Sequence, residues 1–255
     1  MEHHLKKKIQ YFLNSPYRGR DDVRRTVSEL RAYGDIALIG GMLRDVALFG
    51  NAAFRSDLDF VIVPDDLRSF EQKMRSVGAR VNRFGGYSLP SKKWQIDVWP
   101  LENTWAHQQG HIHIRDISDL REATFFSCDA IIYDLDKKCL HMKEGYFDHL
   151  ARKILEINLR PNPNPKGNAV RAIRYALLKD FKWGPKLSRF VSEVIDEFGW
   201  DCLRDYELRS FKTSYLDTLI NKHLKKELDL HINKEKHLFD PKEFTRQVQL
   251  FLPNL

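Results

Sequence analysis

Two carboxylates one residue apart at the start of an apolar strand constrain this chain more than any other feature. In Asp57-Leu58-Asp59-Phe60-Val61-Ile62-Val63 successive side chains alternate between faces, so Asp57 and Asp59 project together while Leu58 and Phe60 turn to a core. Asp is a poor strand former, and two ionised carboxylates at that spacing repel unless a cation lies between them. The pattern predicts a sheet with a hard metal ion held by oxygens on one face. In Trp94-Gln95-Ile96-Asp97-Val98-Trp99, Ile96 and Val98 share the buried face, which turns Asp97, with Gln95, to the other. Asp57, Asp59 and Asp97, gathered from neighbouring strands, would hold two Mg²⁺ ions about 3.5–4 Å apart, with Mn²⁺ as a substitute. That arrangement serves phosphoryl-type transfer.

Gly40-Gly41 supplies a substrate grip. The pair follows a buried-strand run, Ile36 to Ile39, and precedes a helix, Met42 to Phe49, closed by Gly50. Without side chains at the turn, backbone N–H groups at the helix start can approach a triphosphate, aided by the positive end of the helix dipole. Arg44, one turn into the helix, is placed to reach the same phosphates. A glycine pair alone is an ordinary turn, and an Asp pair alone marks a strand end. Their joint occurrence in this order points to metal-dependent nucleotidyl transfer.

Helical spacing predicts helices over Leu5 to Leu13 and Asp21 to Tyr33, the latter stopped by Gly34. Further strands are predicted at Val81 to Phe84, Tyr87 to Leu89, Trp94 to Trp99 and Ala130 to Tyr133. Beyond Leu150 the period becomes helical: Leu187, Phe190, Val191, Val194, Ile195 and Phe198 form one apolar stripe closed by Gly199, and Asp240-Pro241 with Glu243 opens a last helix through Phe251. Phe211, Tyr215, Leu216, Leu219 and Ile220 read as a helix core. Pro161 to Gly167 is predicted to be a non-helical hinge or functional loop. The expected organisation is α+β: a head over residues 1–150 and a smaller all-helical domain over 151–255. The head carries 22 Lys and Arg against 21 Asp and Glu, the second part 20 against 14, so the net +7 resides mostly in the second part. Arg152 to Arg189 alone holds ten basic and two acidic residues, a stripe suited to phosphates or simply a solvated helix face.

His107, His111 and His113, with His-x-His on a strand, are a minor candidate for a transition metal. Trp94, Trp99, Trp105 and Trp183 are base-stacking candidates whose commoner fate is core packing. Lys222, Lys225 and Lys226 read as a solvated face. Cys128, Cys139 and Cys202 suggest neither a disulfide framework nor a zinc ribbon. No apolar run approaches the roughly 18 residues of a membrane span, and the charged amino terminus lacks a signal-peptide core; a cytoplasmic protein without membrane partners is expected.

Gly40-Gly41-Met42-Leu43-Arg44-Asp45 followed by Ser56-Asp57-Leu58-Asp59-Phe60 resembles the Gly-Gly-x-x-Arg-Asp and Asp-x-Asp signature of the bacterial poly(A) polymerase and CCA-adding tRNA nucleotidyltransferase head family, within the DNA polymerase beta-like superfamily. Asp129-Ala130-Ile131-Ile132-Tyr133-Asp134, Gly145-Tyr146-Phe147-Asp148-His149-Leu150 and Arg171-Ala172-Ile173-Arg174-Tyr175-Ala176 resemble later segments of that family, so the likeness spans about residues 34–182. It implies a mixed-sheet head with a helical neck. It also implies Asp57 and Asp59 as metal ligands, Arg44, Asp45 and Ser56 near the nucleotide, and Arg171 and Arg174 on phosphates or base. Where the family has Arg-Arg-Asp this chain has Ala123-Thr124-Phe125, and the base-reading Glu-Asp-x-x-Arg falls on Asn164, Pro165 and Asn168. Chemistry is expected to be retained and specificity rebuilt.

The resulting expectation is an enzyme that transfers a nucleoside monophosphate from a triphosphate, ATP included, to a hydroxyl of RNA, a tRNA-like 3′ end foremost, with release of pyrophosphate. Nucleotidylation of a protein or small molecule and an inactive RNA-binding relative are the competing readings.

Overall fold

The computed structural model describes residues 1–82, 84–219, 221–233 and 238–242. The chain divides into two compact units, Met1–Asp148 and His149–Leu255.

In the first unit, α1 (Glu2–Asn14) and α2 (Arg20–Leu30) precede β1 (Gly34–Ile39), α3 (Gly41–Phe49), β2 (Leu58–Pro64) and α4 (Leu67–Ser76). After these come β3 (Arg80–Val81), β4 (Tyr87–Leu89), β5 (Ile96–Pro100), the short α5 (Trp105–Gln108), β6 (Ile131–Asp134) and β7 (Cys139–Met142). Gly34 begins β1 rather than merely stopping α2. The helix α4 is not marked by the apolar period, since only Phe70 and Met74 are buried along it; the Asp66 side chain caps it, accepting from Arg68 N at 3.3 Å and Ser69 N at 3.0 Å.

The strands form one seven-stranded mixed sheet in the order β3-β4-β5-β2-β1-β6-β7, with only the β2–β5 pair parallel. One lateral row decides the site. Ser88 pairs with Asp97, Asp97 with Asp59, Asp59 with Ile39, Ile39 with Ile132 and Ile132 with His141. Paired residues project from the same face. The opposite face carries Ile36, Leu38, Leu58, Phe60, Ile62, Ile96 and Val98, all fully buried. On the acidic face, the 101–123 segment covers Ala37, Val61 and Ile132 with Leu101, Ile114, Ile117 and Leu120, and Ile39 and Trp99 pack at its margin. This apolar cover ends at the residue pair next to Asp59 and Asp97.

The second unit contains β8 (Ile154–Leu155), α7 (Pro165–Lys179), β9 (Lys182–Trp183), α8 (Pro185–Phe198), α9 (Trp200–Phe211) and α10 (Asn221–Asn233); the division falls within α6 (Tyr146–Ala151). The unit is helical in bulk but not wholly so, because β8 and β9 form a two-stranded parallel ladder. Leu187, Phe190, Val191, Val194 and Ile195 of the α8 stripe are buried as the period predicts and Phe198 is half-buried, and Glu156 caps the start of α8, accepting from Leu187 N at 2.8 Å and Lys186 N at 3.2 Å.

Three expectations need correction here. Pro165, Lys166 and Gly167 belong to α7, because Pro at the first helical position costs no hydrogen bond and Asn164 caps the turn. Phe211 and Tyr215 are partly exposed and separated by a helix end at Lys212, which takes a left-handed conformation; only Leu216 and Leu219 of that set are buried, and Ile220 lies outside the described residues. Lys225 is not simply solvated, since it pairs with Asp196 at 3.0 Å and Asp229 at 2.7 Å, joining α8 to α10. Of the predicted last helix, Asp240 accepts from Lys242 N at 3.0 Å; residues 243–251 lie outside the described residues.

Arg174 on α7 meets the fully buried Glu207 of α9 at 2.6 Å, and the other Glu207 oxygen accepts from Leu216 N at 2.9 Å. Truncating the acid leaves a cation with little access to water. Glu207→Ala is expected to cost about 3–5 kcal/mol, read by urea unfolding of the full chain; a loss below about 1 kcal/mol would show the pair to be dispensable.

Candidate active site

Asp57 immediately precedes β2, Asp59 lies within it, and Asp97 lies beside Asp59 on β5. Asp97 is buried, accepts a hydrogen bond from Ser88 Oγ, and accepts from Gln95 Nε2 at 3.2 Å. Both donors fix the direction of the carboxylate. Ser88 is the residue that sequence reading misses; its signal is the alternation of the β4 strand, and its partner becomes visible only from the register. Asp57 is exposed along one edge, yet protein surrounding it and then the nearby Asp97 charge push its pKa above the ordinary carboxylate value. Negative charge is thus concentrated at this end of β2 and β5.

Ile39, the register partner of Asp59, is followed directly by Gly40, which brings the start of α3 to the same end of the sheet. Gly40 has φ 69° and ψ −126°, a conformation that L side chains rarely adopt. Its N–H donates to Ile131 O at 3.1 Å, and its carbonyl accepts from Leu43 N and Arg44 N at 3.1 and 3.2 Å. The turn is therefore tied to β6 while the first amides of α3 lie at the acidic end of the strands.

Arg44 and Asp45 are both buried. Arg44 Nε donates to Asp45 at 2.8 Å, and its Nη1 donates to the Asp129 carboxylate. The guanidinium is thus held between two carboxylates rather than extended from the turn, because charges removed from water require partners. Tyr146 adds to this cluster, donating to Cys128 O at 2.8 Å, and burial raises its pKa well above the ordinary phenol value. Asp129 is the second residue the sequence reading leaves without a role.

Ser56 and Asp57 border an open cavity of about 670 Å³ with Arg18, Arg55, Lys93, Trp94 and Gln95. Three cationic side chains on its wall suit a polyanion. Trp94 itself packs edge-on to Phe12 and is stacked on Phe54 at 5.6 Å, which is core packing. Trp183 is fully buried.

Arg171 and Arg174 belong to the second unit. Arg171 donates to Tyr175 OH at 3.2 Å. Arg174 is engaged by Glu207 and Thr213 and lies over the Phe211 and Tyr215 rings at 4.2 and 5.1 Å. Asn164 accepts from Gly167 N at 3.0 Å and donates to Tyr206 OH at 2.6 Å, so its side chain serves the helix cap. The three head histidines are in α5 and a loop, not a strand. His107 Nδ1 accepts from Ile114 N at 3.2 Å, and His111 packs on Trp105. They are absent from the one set of three close metal-ligand side chains found among the described residues.

The acidic trio offers only carboxylate oxygens, the donors a hard divalent cation takes, although its three ligand atoms are not drawn within 4.8 Å of one another as those of the one close set among the described residues are. Burial first, and then the Asp97 charge, raises the Asp57 pKa, a penalty on the ionised form that such an ion would relieve. No helix among the described residues is long and apolar enough to cross a membrane.

No family model matches the chain, and no curated protein matches it. Solved structures do. A CCA-adding enzyme in complex with ATP is 18% identical with a TM-score of 0.52, covering 96% of this chain and 52% of its own. The Thermotoga maritima CCA-adding enzyme complexed with tRNA is 17% identical with a TM-score of 0.51, covering 98% and 54%. A CCA-adding enzyme with CTP is 17% identical with a TM-score of 0.50, covering 90% and 52%. At these identities the likeness establishes the fold, an α+β nucleotidyltransferase head with a helical region. The chain spans about half the length of these structures.

The raised Asp57 pKa carries a pH signature. Its carboxyl binds protons more tightly folded than unfolded, so its contribution to stability falls as pH rises from the ordinary 3.8 through the raised value. Asp57→Asn is therefore expected to be more stable than the parent at pH 7 without divalent ions, by under about 1 kcal/mol because water screens the group. The difference should vanish below that ordinary value. Mg²⁺ at ten times its Kd should stabilise the parent by about 1.4 kcal/mol and the variant by less. Thermal melts at several pH values measure both, and equal Mg²⁺ responses would refute the ligand role.

Proposed function

We propose that this chain is a metal-dependent nucleotidyltransferase that moves a nucleoside monophosphate from a triphosphate to a hydroxyl of RNA, with a tRNA-like 3′ end the favoured acceptor. The observation that carries the reading is the lateral pairing of Asp59 with Asp97, with Asp57 beside them and Gly40-Gly41 at the neighbouring strand end.

Asp57, Asp59 and Asp97 would hold two Mg²⁺ ions, or Mn²⁺. Bound there, the ions neutralise phosphate charge and raise the nucleophilicity of the attacking oxygen. Asp97, oriented by Ser88 and Gln95, accepts the proton of the acceptor hydroxyl. That oxygen then bonds to the α-phosphorus while the bond to the bridging oxygen breaks and pyrophosphate leaves. Gly40 and Gly41 admit the triphosphate to the first amides of α3. Arg44 and Asp45 act on the nucleotide through this turn, since the Asp45–Arg44–Asp129 chain fixes the helix start and its link to β6. Ser56 lies at the cationic cavity beside Asp57.

The RNA acceptor is supported by the sequence resemblance and by the basic second unit, where Arg152, Lys186 and Arg189 are exposed. Among the solved structures of like fold, the Thermotoga maritima CCA-adding enzyme is complexed with tRNA. Arg171 and Arg174 contribute mainly by shaping that surface, with Arg171 the better placed to meet phosphate. Loss of the base-reading acids at positions 164 and 165 implies a nucleotide choice made differently.

Incubation with Mg²⁺, each α-labelled triphosphate and a total cell extract tests the reading, with label expected on RNA. Asp59→Asn and Asp97→Asn should each reduce incorporation by at least about 10²-fold without loss of folding. Label on protein with RNA untouched would favour the competing acceptor class, and incorporation unaffected by both substitutions would refute the site.

A further inference from the structure

The edge hairpin of the sheet carries a second donor cluster, chemically unlike the acidic trio. Asp134 ends β6 and pairs in register with Cys139 of β7, and His141 lies two residues further on the same face. Cys139 Sγ is 3.3 Å from His141 Nε2, His141 Nε2 is 4.0 Å from Asp134 Oδ2, and one ligand atom from each residue lies within 4.8 Å of the others.

We propose that Asp134, Cys139 and His141 form a transition-metal site, for Zn²⁺ by the chemistry of its donors, that clips β7 to β6 at the sheet edge. A thiolate, an imidazole and one carboxylate oxygen are the mixed donors Zn²⁺ takes, and they suit Mg²⁺ poorly. Tetrahedral coordination at ordinary Zn–S, Zn–N and Zn–O lengths puts ligand atoms about 3.4–3.6 Å apart, so the observed separations need only small side-chain adjustments.

The carboxylate is already aimed. Asp134 Oδ1 accepts from Asp136 N at 3.0 Å and Lys137 N at 2.8 Å, which fixes the group and leaves Oδ2 toward His141. Such support of a ligand from behind is what metal sites require. Among the described residues the lysine near Oδ2 is Lys137, whose Nζ lies 3.6 Å away on a side chain 70% exposed that can swing away. Cys139 and His141 are half-buried, which leaves a path for the ion and room for water as a fourth ligand. With three strand intervals between β7 and β2, the cluster is about 14 Å from Asp59 by strand spacing, too far to share the ions of the acidic trio.

Co²⁺ titration of the full chain carrying His3→Gln and His4→Gln, which removes the exposed amino-terminal histidine pair, tests the site. One equivalent should produce a thiolate-to-cobalt charge-transfer band that Zn²⁺ displaces. Cys139→Ser should abolish the band, His141→Gln should weaken binding at least about tenfold, and Cys202→Ser should leave it unchanged. Zn²⁺ should raise the melting temperature of the parent but not of Cys139→Ser. If Cys139→Ser fails to fold, by circular dichroism, the His141→Gln comparison decides. Absence of the band in the parent, its survival in folded Cys139→Ser, or full affinity in His141→Gln would overturn the proposal.

Discussion

Mutual repulsion among carboxylates on one face of a sheet is the constraint around which the first unit is arranged. Asp59 and Asp97 are register partners on the one parallel pair of the seven-stranded sheet, and burial together with the nearby Asp97 charge raises the proton affinity of Asp57. A sheet gains nothing from such a cluster by itself, because each ionised group loses hydration and faces its like. The surrounding architecture limits the cost. Apolar cover stops one residue pair away, Ser88 and Gln95 donate to Asp97, and the amino-terminal end of α3 arrives at the neighbouring strand. The positive end of a helix beside a group of acids lowers the electrostatic penalty.

Two arginines that the sequence marks for phosphate are held by carboxylates of their own unit. Arg44 lies between Asp45 and Asp129, and Arg174 meets Glu207. The same physics applies to both. A guanidinium taken out of water needs partners, and a carboxylate at bonding distance in a low-dielectric surrounding provides them with defined direction. Arg44 thereby ties α3 to the segment that leads into β6, and Arg174 ties α7 to α9.

Much of the head was legible in residues 34–63. The run Ile36 to Ile39, the glycine turn, the helix to Phe49 and the alternating strand after Asp57 occur as the periodicity predicts, since local pattern and tertiary burial agree there. The strand predicted from Trp94 instead starts at Ile96: Trp94 is drawn into an aromatic group with Phe12 and Phe54, a contact made across more than 80 residues. β7 carried no clear alternation, and α4 had only two buried apolar positions. The Pro161 to Gly167 stretch was read by composition alone, whereas the Asn164 cap makes Pro165 a helix start.

By itself the sequence determined which side chains could share a face, because the two-residue period of a strand is a local property of the backbone. It therefore placed Asp57 with Asp59 and opposed Asp97 to Ile96 and Val98. Only the tertiary structure decided which strands are neighbours and in what register. That choice set Asp97 against Asp59, Ser88 against Asp97 and Cys139 against Asp134. It depends on matching apolar faces contributed by distant segments, and such matching has no counterpart in any short stretch of chain.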